Sequence, residues 1–292
     1  MGDAIVSITS RAKVYFPDSG HTKGDLADYY AAVAPLLLRF AAGRPLNIVR
    51  CPQGRSRKCF FQRHRTSGFG PHVHAVPIRE KEGDVEDYLY VDGAAGVLEC
   101  VQMGTIEFHL WASHADDVEA PDRLVIDLDP GEGVGFAAVR DAAIEVRERL
   151  SDVGLTSFPL LTGGKGLHVV VPLTKGHSWD RHGSFAKALA QAMSEDAPDR
   201  FTASSAKAKR EGRIFIDYLR NMRGNSAIAP YSVRARSGAP VAAPICWEEL
   251  PGFAKAQAFT IDAVDSLLDR AASNALAGWG EAEQSLPKSG PY

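Results

Sequence analysis

The stretch LVIDLDPGEG, Leu124 to Gly133, constrains the fold more than any other part of the 292-residue chain. Apolar residues run into Asp127, Leu128 and Asp129, and Pro130-Gly131 then stops the run. Such a run reads as a buried strand, and residues i and i+2 of a strand face the same side. Asp127 and Asp129 therefore project together. Two like charges that close cost energy unless something positive lies between them. A hard divalent cation, Mg²⁺ or Mn²⁺, takes oxygen ligands and is the natural occupant. Two such ions roughly 3.5–4 Å apart can clamp the attacking and leaving oxygens of a phosphoryl transfer. That chemistry calls for a third carboxylate, and Asp217, near the end of the alternating RIFIDYL stretch, is the candidate.

The surroundings of this strand are mixed. Thr22-Lys-Gly-Asp25 resembles a capping box with Asp in place of Glu, opening a helix to about Ala42 that Pro35 should kink. Short strands are expected over 45–50 and 58–62, around the basic turn CPQGRSRK. Val85 to Val101 mixes apolar and turn residues, and Thr105 to Trp111 alternates as a strand. Phe136 to Leu150 has helical periodicity, with Gly154 as a stop. Strands over 158–161 and 167–173 flank TGGKG, and helices are expected over 185–193 and 261–271. The tail after Gly278 reads as poorly ordered. There is no strict βαβ rhythm, so the expectation is an α+β fold with two lobes meeting at a cleft.

Hydrophobic content of 45% and charged content of 24% are those of an ordinary soluble globular protein. No apolar run approaches the roughly 20 residues of a membrane span. The start, MGDAIVSITSRAK, has no signal-peptide core, so a cytoplasmic protein is expected. Cys51, Cys59, Cys100 and Cys246 are scattered without a C-x-x-C pair, which argues for reduced, mostly buried thiols. The net charge of −3 conceals an asymmetry: residues 1–80 hold 12 Lys/Arg against 5 Asp/Glu. Arg50 to Arg65 holds six basic residues and no acidic one, and Lys207 to Arg236 holds eight against Glu211 and Asp217. Such local excess suits a polyanion, although a solvated surface with a chance bias would read the same way.

Three further elements carry chemistry. In LLTGGKGLHVVVPL, Leu160 to Leu173, glycines allow close backbone approach, Lys165 suits phosphate, and Thr162 and His168 add hydrogen-bonding groups. It is not a Walker A loop, because Gly166 stands where Ser or Thr is required. In GTIEFHLWAS, His109 sits on a strand, where a lone histidine is more often structural. In KCFFQRHR, Phe60 and Phe61 point to opposite strand faces. One can enter the core while the other faces out as a base-stacking platform in a basic field, or both can be core. A lone D-x-D also occurs in sugar transferases and phosphatases. The haloacid-dehalogenase type wants Thr or Val where Pro130 stands.

The basic Phe-Phe strand, G-x-I-E-x-H-x-W, D-L-D-P and the Gly-Gly-Lys-Gly-Leu-His hairpin occur in that order. RIFIDYLRN and YSVRA follow. Together they closely resemble the polymerase domain of bacterial LigD, the DNA ligase of non-homologous end joining, within the archaeo-eukaryotic primase superfamily. The resemblance covers about residues 5 to 272 of a single 1–292 primase-polymerase domain, leaving 273–292 as a tail. It implies a primase-like, two-lobed catalytic core with an RRM-like lobe and a central cleft. It implies nucleotidyl transfer to DNA 3′ ends at gaps or breaks, preferring ribonucleotides, with two metal ions, Mn²⁺ favoured over Mg²⁺. By position, Asp127, Asp129 and Asp217 match the catalytic metal triad, and His109, Thr162, Lys165, His168 and Arg234 match the nucleotide-binding residues. Phe60 and Phe61 match the pair that stacks on DNA, and Lys13 and Lys23 match lysines that grip a 5′-phosphate. The implied partners are gapped or broken DNA with a 5′-phosphate, an NTP or dNTP, and Ku and a ligase. A monomer in the bacterial cytoplasm, at the nucleoid, is expected.

Two departures are small: Thr162 stands where many members have Ser, and Leu110 follows His109 where Pro is common. No K-x-D-G ligase motif and no His-rich phosphoesterase segment is present, so an excised domain or a stand-alone relative is expected. The competing class is a catalytically silent module that binds and bridges DNA ends, against which the three aspartates argue. An enzyme unrelated to DNA would not need the basic Phe-Phe segment.

Overall fold

The computed structural model describes residues 6–288. In chain order the strands are β1 (Val14–Phe16), β2 (His21–Thr22), β3 (Leu46–Arg50), β4 (Phe60–Gln62), β5 (His74–Arg79), β6 (Val85–Tyr90) and β7 (Thr105–Leu110). They continue with β8 (Arg123–Pro130), β9 (Phe158–Leu161), β10 (Leu167–Pro172), β11 (Phe201–Thr202), β12 (Ile214–Asp217), β13 (Ala227–Ile228) and β14 (Ala243–Pro244). The helices are α1 (Lys23–Ala41), α2 (Ala94–Gln102), α3 (Phe136–Asp152), α4 (Trp179–Asp196) and α5 (Val264–Ala272). The fold is α+β, as expected, in two compact units. The first takes residues through 118, 228–242 and 259–271, and the second takes 119–227, 243–258 and 272 onward. Among the described residues no helix is long and apolar enough to cross a membrane.

In the first unit, the capping box at Thr22 and Asp25 forms in both directions and opens α1. Pro35 lies inside this helix, whose buried stripe includes Leu26, Tyr29, Tyr30, Val33 and Leu37. Two phenols on that stripe tie the helix to returning chain. Tyr30 donates to the carbonyl of Ile106 at 2.6 Å and accepts from the Val233 amide at 2.9 Å, while Tyr29 donates to the Tyr231 carbonyl at 2.9 Å. Behind α1 lies a sheet in the order β13-β7-β3-β4, and β5 and β6 form a separate hairpin. Within the Val85 to Val101 stretch, Gly93 is the N-cap of α2. Gly96 is required there, since a Cβ would lie 2.4 Å from the His72 carbonyl oxygen.

The second unit is built on a six-stranded sheet, β11-β12-β8-β10-β9-β14, in which β8 is central. Leu124, Ile126 and Leu128 face one side of β8, and Val125, Asp127 and Asp129 face the other. Helix α3 packs against β8 and β10 through Val139, Ala143, Val146 and Leu150. Strand β12 stops at Asp217, opposite Asp127, and leaves the β8 backbone at Val125 without a partner on the β12 side. Asn221 completes the ladder: its Oδ1 accepts from the Val125 amide and its Nδ2 donates to the Val125 carbonyl, both at 2.7 Å. Asn221→Ala would strand two buried backbone groups, each worth about 1–3 kcal/mol. We expect a loss of about 2–6 kcal/mol in urea unfolding, with no change in the far-ultraviolet spectrum of the folded chain.

Two expectations are corrected. From Trp279 to Leu286 the tail is packed, not loose. Trp279 is buried and donates to the carbonyls of Pro159 and Ile245, Gln284 bridges Thr156 and Pro172, and Leu286 is buried. A few apolar anchors and one amide order this segment although it forms no regular element. The second correction concerns the thiols. Cys51 and Cys59 form a disulfide, with Cα atoms 4.3 Å apart, while Cys100 is buried and free and Cys246 is half-buried and free. In the β3–β4 hairpin Arg50 pairs with Phe60, so the next residues outward, Cys51 and Cys59, oppose each other. Eight-residue spacing alone does not reveal that register.

Candidate active site

The aspartates on β8 belong to a row that crosses three adjacent strands. Asp127 is opposite Asp217 of β12 on one side and opposite His168 of β10 on the other. Directly opposed residues share a face, so Asp217, Asp127 and His168 project together, with Asp129 two residues along. Period-two alternation placed the first pair, and the register of the two antiparallel ladders brings in the others. His168 Nε2 lies 3.4 Å from Asp127 Oδ1, and its buried Nδ1 has no protein partner.

The positive group between these carboxylates in the protein itself is a guanidinium. Arg220 Nε is 3.1 Å from Asp127 Oδ2 and 3.2 Å from Asp217 Oδ2. Arg210 stacks on the Phe215 ring at 3.9 Å and donates to Asp129 Oδ2 at 3.1 Å. Neither arginine is singled out by the sequence patterns. Arg220 had a local signal, because it lies three residues after Asp217 on a 3₁₀ turn, where i and i+3 side chains eclipse. Arg210 is 81 residues from Asp129 and had none.

Charge balance is uneven across the row. Burial works against the Asp127 anion, but the neighbouring His168 and Arg220 outweigh it and hold the carboxyl below the ordinary aspartate range. Asp129 is pushed up by burial and by the Asp127 charge, against the pull of Arg210, Arg220 and Lys165. Asp217 is pushed up by burial, with Arg220 opposing and Asp127 adding to the rise. Among the described residues, no three His, Cys, Asp or Glu side chains are drawn together as metal ligands. The donor set still suits a hard divalent cation. It consists of carboxylate oxygens, the ligands such a cation takes. A bound cation would share or displace the contacts now made by Arg220 and Arg210.

The Gly-rich hairpin between β9 and β10 borders this row. Thr162 Oγ1 donates to the Gly166 carbonyl at 2.8 Å and accepts from the Gly164 amide at 3.2 Å, so its hydroxyl shapes the turn. Gly163 has φ +63°, and a Cβ on Gly166 would lie 2.2 Å from the Leu128 carbonyl oxygen. Lys165 at the tip is exposed.

The first unit carries the other predicted residues. His109 and Arg234 converge on Glu107, which the sequence reading passed over within G-x-I-E-x-H-x-W. Glu107 Oε2 accepts from His109 Nε2 at 2.8 Å and from Arg234 Nε at 3.1 Å, and Oε1 accepts from the Ala235 amide at 2.8 Å. Burial opposes the Glu107 anion, but His109 and Arg234 prevail and bring its carboxyl down to about 2. Neither Phe60 nor Phe61 enters the core, contrary to the expectation for one of them. Strand β4 is the sheet edge, which leaves Phe60 39% and Phe61 72% exposed. The Arg50 guanidinium lies 5.4 Å from the Phe60 ring centre, and the Phe61 ring lies 5.8 Å from that of His109.

Lys13 and Lys23 are joined by a backbone bond from the Lys23 amide to the Lys13 carbonyl at 2.8 Å. Lys23 is buried at the first position of α1, and its ammonium donates to the carbonyl and Oε1 of Gln102, both at 2.8 Å. Burial and the Lys13 charge push its pKa down. Lys13 donates to the Pro52 carbonyl at 2.8 Å and to Gln53 Oε1 at 2.6 Å. Two cations facing each other at a helix N-terminus suit an anion.

These elements coincide with those of a known family. Residues 22–275 match the LigD primase-polymerase domain. The chain belongs to that family. It is 37% identical over 269 residues to the multifunctional non-homologous end joining protein LigD of Pseudomonas aeruginosa, covering 92% of this chain and 32% of that protein. It is 36% identical over 253 residues to the corresponding protein of Mycobacterium tuberculosis, covering 84% and 33%. The chain thus spans about a third of the length of these curated relatives. The solved polymerase domain of Mycobacterium tuberculosis ligase D in complex with DNA matches with a TM-score of 0.83 and 33% identity, covering 95% of this chain and 96% of that one.

Proposed function

We propose that the chain is a DNA-dependent nucleotidyltransferase of the primase-polymerase type. It extends 3′ ends at gaps or breaks during end joining and prefers ribonucleotides. The observation that carries this reading is the Asp217–Asp127–His168 row with Asp129 beside it, on one face of three adjacent strands. Family membership and the DNA-bound solved relative support it.

Asp127, Asp129 and Asp217 would hold two divalent cations, Mn²⁺ or Mg²⁺. When bound, these supply Lewis-acid polarisation of the α-phosphate and favour ionisation of the primer 3′-hydroxyl. Asp217 serves as a metal ligand or as the base at the 3′-hydroxyl end. Arg220 keeps Asp127 and Asp217 aligned. Lys165 and Arg234 bind the triphosphate and offset charge that builds on the departing pyrophosphate. Thr162 holds the turn that presents Lys165, and the free Nδ1 of buried His168 is available to the nucleotide. His109 contacts the nucleotide. Phe60 and Phe61 stack on DNA, and Lys13 and Lys23 take a 5′-phosphate. We place the protein as a monomer in the bacterial cytoplasm, at the nucleoid, with Ku and a ligase as partners.

The test is primer extension across a one-nucleotide gap with a 5′-phosphate, with Mn²⁺ or Mg²⁺ and with NTPs or dNTPs. Metal-dependent incorporation, faster with NTPs, is expected. DNA binding without incorporation in any condition would favour a silent end-bridging module, in which Arg220 serves as permanent counter-charge for Asp127 and Asp217. For the phosphate grip, Lys13→Ala and Lys23→Ala are each expected to weaken binding to 5′-phosphorylated gapped DNA roughly tenfold, the order of one charge-assisted contact. The effect should be much smaller on 5′-hydroxyl DNA. Equal losses on both substrates, measured by fluorescence anisotropy, would assign these lysines to general electrostatics.

A further inference from the structure

We propose that Cys51 and Cys59 form a redox modification site whose oxidation state sets the strength of the DNA grip; the link to DNA rests on the function proposed above. The pair closes a loop of eight-residue separation, and that loop touches both DNA-binding groups assigned to the first unit. On one side, Cys59 directly precedes Phe60 and Phe61, so the bridge anchors the start of the aromatic edge strand. On the other, the Lys13 ammonium donates to Pro52 and Gln53 inside the loop.

The loop is also packed backbone to backbone against the segment that carries Lys13. The Arg55 amide donates to the Tyr15 carbonyl at 2.9 Å, and a Cβ on Gly54 would lie 2.9 Å from the Val14 carbonyl oxygen. Opposite, the Cys51 amide donates to Gly104 at 2.8 Å, and the Arg55 guanidinium pairs with Asp18. Lys13, the loop and the Phe60-Phe61 strand therefore form one mechanical unit. Its closure through the sulfurs limits the conformations open to the exposed basic turn at Arg57 and Lys58. Order held in advance reduces what binding must spend on ordering the loop.

Access is asymmetric. Cys51 is fully buried, and Cys59 is half-buried at the rim. Cys59 is therefore the sulfur that a dissolved reagent reaches. Oxidation by a peroxide converts two thiols and H₂O₂ to one disulfide and two waters. The Cys59 thiolate takes an oxygen to become a sulfenic acid with release of water, and the Cys51 thiolate then displaces the second water. A small dithiol reverses this. Its thiolate attacks the Cys59 sulfur and expels the Cys51 thiolate, and its second thiol then closes the reagent's own disulfide and releases Cys59. Cys100 is fully buried, burial pushes its thiol well above the ordinary range, and it has no comparable access.

The experiment uses the full chain, treated with one equivalent of H₂O₂ or with dithiothreitol and then desalted without air. Thiols are counted in denaturant, and affinity for 5′-phosphorylated gapped DNA is measured by fluorescence anisotropy. Two thiols after oxidation and four after reduction are expected, with binding roughly three- to tenfold weaker in the reduced chain. Cys51→Ser with Cys59→Ser should bind like the reduced chain under both treatments, and Cys246→Ser should keep the full response. Four thiols after both treatments, or equal affinity of the two forms, would overturn the switch and leave the polymerase reading standing. No DNA binding by either form would overturn the polymerase reading, and the switch with it.

Discussion

Replacing Asp127 and Asp129 together by alanine is expected to reduce nucleotide incorporation at least about a thousandfold while leaving DNA binding within a factor of about two. The two effects separate because the carboxylate row lies on the second unit, whereas Lys13, Lys23, Phe60 and Phe61 lie on the first. The physical change at the row is specific. Loss of the two anions removes the oxygen donors and also the Asp127 charge that adds to the burial-driven rise of Asp217. Arg220 keeps its contact with Asp217, so the site does not collapse for want of a counter-charge. The measurement is single-turnover extension of a gapped primer at saturating Mn²⁺, with the unfolding temperature recorded to confirm a folded variant. Extension by the double variant at the wild-type rate would remove the site from this face of the sheet.

The largest stability effect is expected at Glu107. Its carboxylate is the shared acceptor for His109, Arg234 and the Ala235 amide, and the Glu107, His109 and Arg234 side chains are largely buried. Removing one member of a buried charged network leaves the remaining charge uncompensated, at a cost of about 3–5 kcal/mol. Glu107→Ala should lose stability on that scale in urea unfolding. Since His109 and Arg234 lose their orienting partner, KM for the nucleotide should rise more than kcat falls. The pH dependence carries the same signature. Glu107 has a folded value of about 2 against an ordinary 4.5, so its folded pKa is depressed. Its contribution is fully present above about 4.5 and is lost as pH falls toward about 2. Glu107→Gln keeps the shape but removes that titration. Its stability should therefore change less than that of the parent between pH 5 and 2, on an order-of-magnitude linkage argument. Parallel pH profiles for parent and Gln variant would show that the ion network around Glu107 contributes nothing to folding.

Several of these features were legible in the residues. Alternation in LVIDLD put Asp127 and Asp129 on one face, and alternation in RIFIDYL supplied Asp217. Capping chemistry at Thr22 and Asp25 set the start of α1, which begins within one residue of expectation. The order of the short motifs carried the family, since each motif alone was common and their succession was not. These signals survive in sequence because they are local: a period of two, a cap that spans four residues, a turn that only glycine can make.

The rest was decided by the tertiary structure. Ladder register placed His168 and Asp217 on either side of Asp127, and it brought Cys51 opposite Cys59. Long-range pairing brought Arg210 to Asp129 and Arg234 to Glu107. The edge position of β4 exposed both phenylalanines, and Trp279, Gln284 and Leu286 secured a tail with no periodicity of its own. The common reason is physical. Charge compensation and burial depend on distances across the fold, and residues 81 or 127 positions apart leave no mark on each other's neighbourhood in the chain. The sequence by itself determined which groups could do phosphoryl chemistry. Only the folded sheet decided which of them share one face, and that a guanidinium stands between two of the carboxylates.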